Sequence, residues 1–546
     1  MNEKNEDGQE FKESFNFEIM KEVGKENKVL KNKINLKMKI IISLAIILIV
    51  LIIVTIVLIS KNENKENNNN NEPKNPDEKD NPGDQDPDDE DEEDDEFKCD
   101  PGYYMPTDNR KKGNCKPCST NNCRKCNGTE ESNTCSKCYT SFVLTNDQNC
   151  IAYSFEAIYY TDTNDKTLQL ISGINGFPNY IQELVINNTR ITPSNSYKFQ
   201  YKGKHNVHIL FDTSQLTTFD TMFYLTEGLI QISFTSKFDT RNINSFHRMF
   251  GDCKSLTQIN MKSFDTSSVT TMNGMFLNCE KLTSIDLSNF NNEKLKQLNH
   301  MFNGCSSLTY INFTNFNTEN VETVESMFNG CTSLTSIDLS GFNIINVNSI
   351  NYMFASCSSL KSLDLSNFKR NQLKHFSYVF FGCKALTSIN LSNLKTSEFT
   401  YMQNTFEDCS SLSSLDISNF DTSKVINMGN MFKGCSSLTS INLSNFITKE
   451  LIYMNSMFYD CSSLVSIDLY NFNTEQVSNM NYLFYQCDKL SYIDISSFIL
   501  KTGCTVDNFI DTEQSSGTIK LNCNIQDKIQ QYFPKNWNFQ CTNKFN

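Results

Sequence analysis

Apolar and polar residues follow one another along residues 207–500 in an order that returns every 26 residues. One turn of the pattern reads Val269-x-x-Met272-x-x-Met275-Phe276-x-x-Cys279-x-x-Leu282-x-x-Ile285-x-Leu287-x-x-Phe290, with Ser, Thr, Asn, Asp and Lys in most of the gaps. The cysteines fix the period. Cys253, Cys279, Cys305, Cys331, Cys357, Cys383, Cys409, Cys435, Cys461 and Cys487 each lie 26 residues after the last, and a Phe stands three residues before every one. A fixed period of this size marks a solenoid, in which one small unit cannot bury its apolar face alone and stacks on its neighbours. Within the unit, Ile285 and Leu287 alternate inward about an outward Asp286, which predicts one short strand per coil, parallel to the strands of the adjoining coils. The spacing of Val269, Met272, Met275 and Phe276 suits a helical or 3₁₀ return path with one buried stripe. A second strand on that side stays open, because Val and Phe also favour strands.

The run M-F-x-x-C-x-S-L-T-S-I-D-L-S-N-F-x-T stands almost unaltered at 431–448 and 457–474, and Leu282-x-x-Ile285-x-Leu287 has leucine-rich-repeat strand spacing. In order, spacing and period, residues 150–500 resemble the BspA-like leucine-rich-repeat surface proteins, in the branch called bacterial surface protein 26-residue repeats. The resemblance implies a non-enzymatic surface protein used in adhesion or recognition, and it names no ligand. The expected fold class is α/β: a leucine-rich-repeat-like solenoid of about eleven to twelve coils with a parallel β-sheet on one face.

The pattern decays at both ends. Residues 151–206 alternate in the manner of strands at 157–161, 168–171 and 197–201 and predict a small β cap, which an open solenoid end needs. The first coils are degenerate, with Thr226 in place of a cysteine after Met222-Phe223. Residues 501–546 form the other cap, with a strand at 517–523, a short helix at 524–533, a Cys523–Cys541 disulfide beside the single tryptophan, Trp537, and Cys504 left odd.

Ahead of the repeats the chain changes character three times. Residues 1–39 read as a disordered polar tail, in which Phe11, Phe15 and Phe17 are scattered aromatics or a sorting motif. Residues 40–60 are 21 residues without a charge, about 31 Å as a helix, and predict a transmembrane signal-anchor. Six lysines between Lys25 and Lys39 place the N-terminus in the cytosol and the remainder outside, at the plasma membrane. Residues 61–98 join an Asn run to the acidic block 84–96 and read as an extended stalk; no spaced calcium loop is present.

Eight cysteines crowd residues 99–150: Cys99, Cys115, Cys118, Cys123, Cys126, Cys135, Cys138 and Cys150. Outside a membrane an even set in a short segment predicts four disulfides of unreadable connectivity; in the cytosol the three C-x-x-C pairs suggest zinc. Cys99-Asp-Pro-Gly-Tyr-Tyr104 and the pairs after it resemble furin-like or growth-factor-receptor cysteine-rich repeats.

A net charge of −14 leaves no basic face for phosphates and excludes nucleic acid as a partner. The five histidines, His205, His208, His247, His300 and His375, belong to no metal or triad spacing, and neither a phosphate loop nor a nucleophile elbow occurs, so neither an enzyme nor a cofactor is expected. The repeat cysteines read as a buried ladder of free thiols, since each lies between a buried Phe and a buried Leu; disulfides between coils are the alternative.

The outward strand position carries Asn260, Asp286, Asn312, Asp338, Asp364, Asn390, Asp416, Asn442, Asp468 and Asp494. Stacked carboxylates repel, so this file is either merely solvated or kept for a cationic or hydrogen-bonding partner, with Tyr310 and Tyr492 as isolated anchors. A polar repeating strip suits an extracellular matrix protein, a host surface or a glycan. Asn127, Asn187, Asn312, Asn390 and Asn442 begin glycosylation sequons, and glycans on the last three would cover that strip. The sequence therefore predicts a membrane-anchored binding or adhesion protein; a coat protein without a specific ligand and a receptor with a short tail are the alternatives.

Overall fold

The computed structural model describes residues 142–542 apart from 147–148, 369–371, 512–515 and 534, together with the backbone of short strands between residues 103 and 138. The expected tail, membrane helix and stalk, and Cys99, Cys115 and Cys118, lie outside the described residues. Among the described residues no helix is long and apolar enough to cross a membrane.

The repeats form a solenoid of eleven coils, and its core is a set of columns. Phe223, Phe250, Phe276 and their successors to Phe484 stack ring on ring, with centroids 5.1–6.1 Å apart and planes within 19° of each other. Beside them run buried columns of Met, Leu and the ten cysteines. All ten repeat thiols are free. Each donates to the carbonyl oxygen of the phenylalanine in the coil before, at 3.0–3.3 Å. The thiol thus fills a small apolar space and satisfies a buried acceptor together.

On one side of the coil, three-residue strands pair in parallel and in register, Ser284–Asp286 with Tyr310–Asn312 and Ser362–Asp364 with Ser388–Asn390. The return path corrects the α/β expectation, because no helix occurs in it. The stripe Val269, Met272, Met275, Phe276, Cys279 is fully buried as its spacing requires, but the backbone runs through successive turns. Met272, Gly274, Phe276 and Asn278 donate their N–H groups to Gln297, Asn299, Met301 and Asn303 of the next coil, while Met275, Leu277 and Cys279 donate to carbonyls three residues back. A helix would keep all of these bonds inside one coil. Left-handed residues four apart, as at Gly274 and Asn278, break the helix while the stripe stays buried, and half of the donors turn towards the neighbour. Two left-handed positions per coil follow, one through His300, Tyr352, Tyr378, Asn404 and Tyr482 and one through Asp252, Asn278, Asp408 and Asp460. A column of isolated parallel bridges, Ser245↔Thr271↔Gln297↔Thr323 and then Ser349↔His375↔Tyr401↔Asn427↔Tyr453, marks this side as a second β ladder.

Buried threonines staple coils at the corner after the strand. Thr422 Oγ1 donates to the Ile447 carbonyl at 2.9 Å and accepts the Ile447 N–H at 2.8 Å, and Thr318, Thr448 and Thr474 do the same to Asn343, Asn473 and Ile499. Asn367, Asn393 and Asn471 reach back to carbonyls of the preceding coil. The conserved-looking letters of the repeat are therefore spent on bonds between coils.

The N-terminal cap is antiparallel. Its sheet runs Thr189–Ile191, Ile181–Ile186, Gly203–Phe211, Phe155–Thr161, Leu229–Phe234, Gln258–Asn260. The strand Leu229–Phe234 lies antiparallel to Phe155–Thr161 and parallel to Gln258–Asn260, so it is where cap becomes solenoid. At the far end, Ser466–Asp468, Tyr492–Ile495, Thr518–Asn522 and Asn538–Thr542 form a parallel sheet joined through short helices between Cys523 and Tyr532. The phenylalanine column ends there, where Phe509 turns edge-on to Phe484 and Phe533 packs against the buried Trp537. Gly517 is required, because a Cβ would lie 2.7 Å from the Trp537 ring.

Disulfides join Cys138 to Cys150 and Cys523 to Cys541. The hairpin Cys123–Thr129 with Ser132–Cys138 sets Cys126 opposite Cys135 and Cys123 opposite Cys138 in its backbone register.

Candidate functional site

The solenoid interior is filled and its polar groups largely paired, which leaves the outward faces as the place for function. On the strand face, Asn260, Asp286, Asp338, Asp364, Asn390, Asp416, Asn442 and Asp468 are exposed and Asn312 is half-buried. The file has a use the sequence reading did not foresee. In all ten coils the Oδ1 atom accepts the backbone N–H two residues on, from Lys262 on Asn260 to Ser496 on Asp494, at 2.8–3.2 Å. Each residue closes the turn that ends its strand, a job that Asp and Asn do equally well. Hydrogen bonds from Ser288, Ser340, Ser366 and Ser418 hold the carboxyls of Asp286, Asp338, Asp364 and Asp416 below the ordinary range, so these four stay ionised. Neighbours in the file also pair: the Asn312 amide donates to Asp286 Oδ1 at 2.9 Å, which relieves the repulsion that stacked carboxylates alone would feel.

Two members of the predicted face are placed differently. Asp494 is buried, because the cap strand Thr518–Asn522 continues the sheet and sets Lys520 3.8 Å from its Oδ2. Tyr492 is not an isolated anchor, since the Lys520 ammonium sits 5.5 Å from its ring centroid. Tyr310 is freely exposed, at 60%. Of the sequon residues, Asn312, Asn390 and Asn442 close turns as above, Asn187 occupies a left-handed turn with its amide against His205, and the side chain of Asn127 lies outside the described residues.

The histidines are dispersed. His205 is buried in the cap, stacked on Phe199 at 4.1 Å, and burial lowers its basicity; His375 stacks on Tyr401 at 5.5 Å. Among the described residues no group of His, Cys, Asp or Glu converges as a metal site would. A cleft of about 330 Å³ lies where the cap meets the first coils, lined by Tyr160, Asp162, Lys166, Leu225, Glu227 and Asp252.

Sequence reasoning missed the other outward face. On the turn side, coils from residue 349 onwards present Tyr352, His375, Tyr378, Tyr401, Tyr453 and Tyr482, where the coils before carry Ser245, Arg248, Thr271, Gly274, Gln297, His300 and Thr323. Reading the sequence down a column at intervals of 26 would have exposed this change.

A family model described as Mycoplasma protein of unknown function, DUF285, matches residues 194–311, 280–389 and 374–498. No curated protein matches the chain. Among solved structures, the leucine-rich repeat protein of T. pallidum is similar at 17% identity and a TM-score of 0.23, over 43% of this chain and 83% of that one. The TLR13–ssRNA13 complex is similar at 15% identity and a TM-score of 0.19, over 60% of this chain and 53% of that one.

Proposed function

The chain belongs to this DUF285 family, and we propose that it is a membrane-anchored surface protein whose solenoid, carried on the acidic stalk and cysteine-rich collar, binds an extracellular protein or glycan in adhesion and performs no catalysis. The BspA-like resemblance of the repeats supports this role. The observation that carries it is the strand-face strip of turn-closing residues, in which Asp286, Asp338, Asp364 and Asp416 keep an ionised carboxylate outward, one or two coils apart. A partner presenting cations or donors at intervals of one or two coils fits such a strip. One observation favours the coat reading: every Oδ1 in the file is already used by its own turn, so the repeat needs these residues whether or not a ligand binds.

Replacing Asp286, Asp338, Asp364, Asp416 and Asp468 together by Asn, with parent and variant both made in a host without N-glycosylation because Asn at 286, 338, 364 and 416 completes an N-x-S sequon, separates the two, since Asn closes the same turn in Asn260, Asn390 and Asn442. Recognition through charge predicts a loss of adhesion of about tenfold with an unchanged melting curve; unaltered adhesion removes the strand face as the binding surface. Protease shaving of intact cells carrying an N-terminal tag tests the anchor. Release of the solenoid with the tag protected is expected, and release only after permeabilisation overturns the orientation.

A further inference from the structure

We infer that the solenoid is two cooperative blocks joined by a hinge between Thr323 and Ser349. In a repeat array each coil is held chiefly by its bonds to the neighbouring coils, so a junction that lacks several of them together divides the array into units that move and unfold separately. Among the described residues both ladders are interrupted together at one junction only. The bridge column runs unbroken from Thr218 to Thr323 and again from Ser349 to Thr505. On the strand face, Tyr310–Asn312 pairs backwards with Ser284–Asp286 and Ser362–Asp364 pairs forwards with Ser388–Asn390, while residues 336–338 between them form no strand.

The backbone amides show where the coils have parted. Before the junction Leu298 donates to Thr323 at 2.9 Å and Glu322 to Lys296 at 2.8 Å; after it Lys374 donates to Asn348 at 2.8 Å and Ile350 to His375 at 3.4 Å. Among the described residues the N–H groups of Val324, which is buried, and Asn348 reach no acceptor. A side-chain bond is missing as well. Asn289, Asn367 and Asn393 donate to carbonyls of the preceding coil, but Gly341 occupies that position here and leaves the Thr314 carbonyl without its amide. Gly341 is not in the left-handed region, and a Cβ there would meet nothing within 4 Å, so neither backbone nor space calls for glycine.

What remains defines the pivot. Thr318 keeps both of its bonds with Asn343, and Ser326, Phe328 and Gly330 donate to Asn351, Met353 and Ala355 at 2.8–3.0 Å. Phe328 stacks on Phe354 at 5.5 Å, and the Cys357 thiol holds the Phe328 carbonyl. The two coils are thus joined along the corner and the turn and unjoined at the strand face. A tilt about the joined side widens the strand face between Asn312 and Asp338 while the phenylalanine stack and the thiol bond hold. A cleft of about 350 Å³, lined by Glu319, Ser340, Asn343, Ile345 and Asn367, already lies at Gly341.

Each side of the junction is complete in itself. The coil of Asp338 is tied forwards: Lys361 N–H donates to the Thr335 carbonyl at 3.1 Å, the Asn367 amide to Ser340 at 2.8 Å, and Tyr352 stacks on Tyr378 at 4.5 Å with planes 12° apart. The turn-side aromatic residues begin at this coil, so the surface changes where the bonds do. The first block ends in the antiparallel cap and the second in the parallel one, and a covered end is what a separately stable array requires.

The ten buried thiols allow the test, because each reports on its own coil. The full-length protein, its disulfides intact, is equilibrated at graded urea concentrations and pulsed with a thiol reagent, and the modified cysteines are located by mass spectrometry. Cys253 to Cys331 are expected to share one midpoint and Cys357 to Cys487 another, with the largest step between Cys331 and Cys357. In native protein the amides of Val324 and Asn348 should exchange with deuterium about tenfold faster than those of Leu298 and Glu322. Gly341→Asn, which restores a donor for the Thr314 carbonyl, should bring the two midpoints closer. Asn393→Gly, which removes the same donor where the bridge column is whole, should create no second step. One midpoint for all ten thiols, a largest step elsewhere, a step that Gly341→Asn does not reduce, or a second step in Asn393→Gly overturns the assignment.

Discussion

The Cys357 thiol donates to the carbonyl oxygen of Phe328, one coil back, at 3.1 Å. That bond, repeated in ten coils, makes the cysteines structural hydrogen-bond donors, and it fixes how they should react. Burial pushes the thiols of Cys305 and Cys383 up to about 12 and Cys357 well above its ordinary value. No repeat cysteine should label with a thiol reagent at pH 8 before urea unfolds the chain. Rapid labelling of any one of them in the native protein would sink the assignment.

The same burial gives an alkaline limit. An unfolded thiol loses its proton near 9.0, whereas the folded chain keeps it to about 12 in Cys305 and Cys383. Between those values the native state binds more protons, so stability is whole below pH 9 and falls as pH rises, by about 1.4 kcal/mol per pH unit for each thiol that titrates. Urea midpoints measured at pH 8, 9.5 and 10.5 should drop progressively more steeply.

Thr422 both gives and takes a hydrogen bond with the Ile447 backbone. Thr422→Val keeps the shape and orphans two buried backbone groups, so it should cost roughly 2–4 kcal/mol in urea unfolding. Thr422→Ser should recover most of that. An unchanged midpoint in the Val variant would show that solvent reaches the corner.

The strand-face carboxyls give the opposite pH dependence. Asp286, Asp338 and Asp364 are held below 3.8 by their turn hydrogen bonds, so the unfolded chain takes up protons first as pH falls. Their contribution is present above pH 4 and lost as pH falls below it. Because these groups are largely exposed, each is worth at most about 1 kcal/mol. Asp286→Asn should flatten the acid limb of the stability curve without shifting stability at pH 7, and Asp286→Ala should lower both.

The Cys523–Cys541 bridge closes 18 residues over the cap that covers Trp537. Reduction should destabilise that cap by about 3 kcal/mol and shift the emission of the sole tryptophan to the red, while the far-ultraviolet spectrum of the coils holds. Loss of both signals together would mean that the cap and the solenoid unfold as one unit.

Burial was legible in the sequence, whereas backbone conformation was not. Val269, Met272, Phe276, Cys279, Leu282 and Leu287 all lie where their spacing put them. The same stripe serves a helix or a chain of alternating turns, which differ in where half of the N–H groups go, and that depends on the neighbouring coil. The available clue was Asn278, Gly304, Gly330, Gly382 and Gly434, which stand just before five of the ten repeat cysteines, suit a left-handed position and weaken a helix. The strand file was placed outward correctly except at Asp494, which the cap strand covers. Its turn-closing role was written in the Ser two residues after Asp286, Asp338, Asp364 and Asp416.

Every inner coil gives its neighbours a thiol-to-carbonyl bond and alternate amides across the gap, and most add a threonine bonded to the next coil's backbone. An unequal exchange between repeats that adds or deletes 26 residues therefore leaves most of the bonds between coils in place. A lineage can lengthen or shorten the molecule by whole coils of 5.1–6.1 Å while both caps stay as they are, so its reach can change by recombination alone, without compensating substitutions.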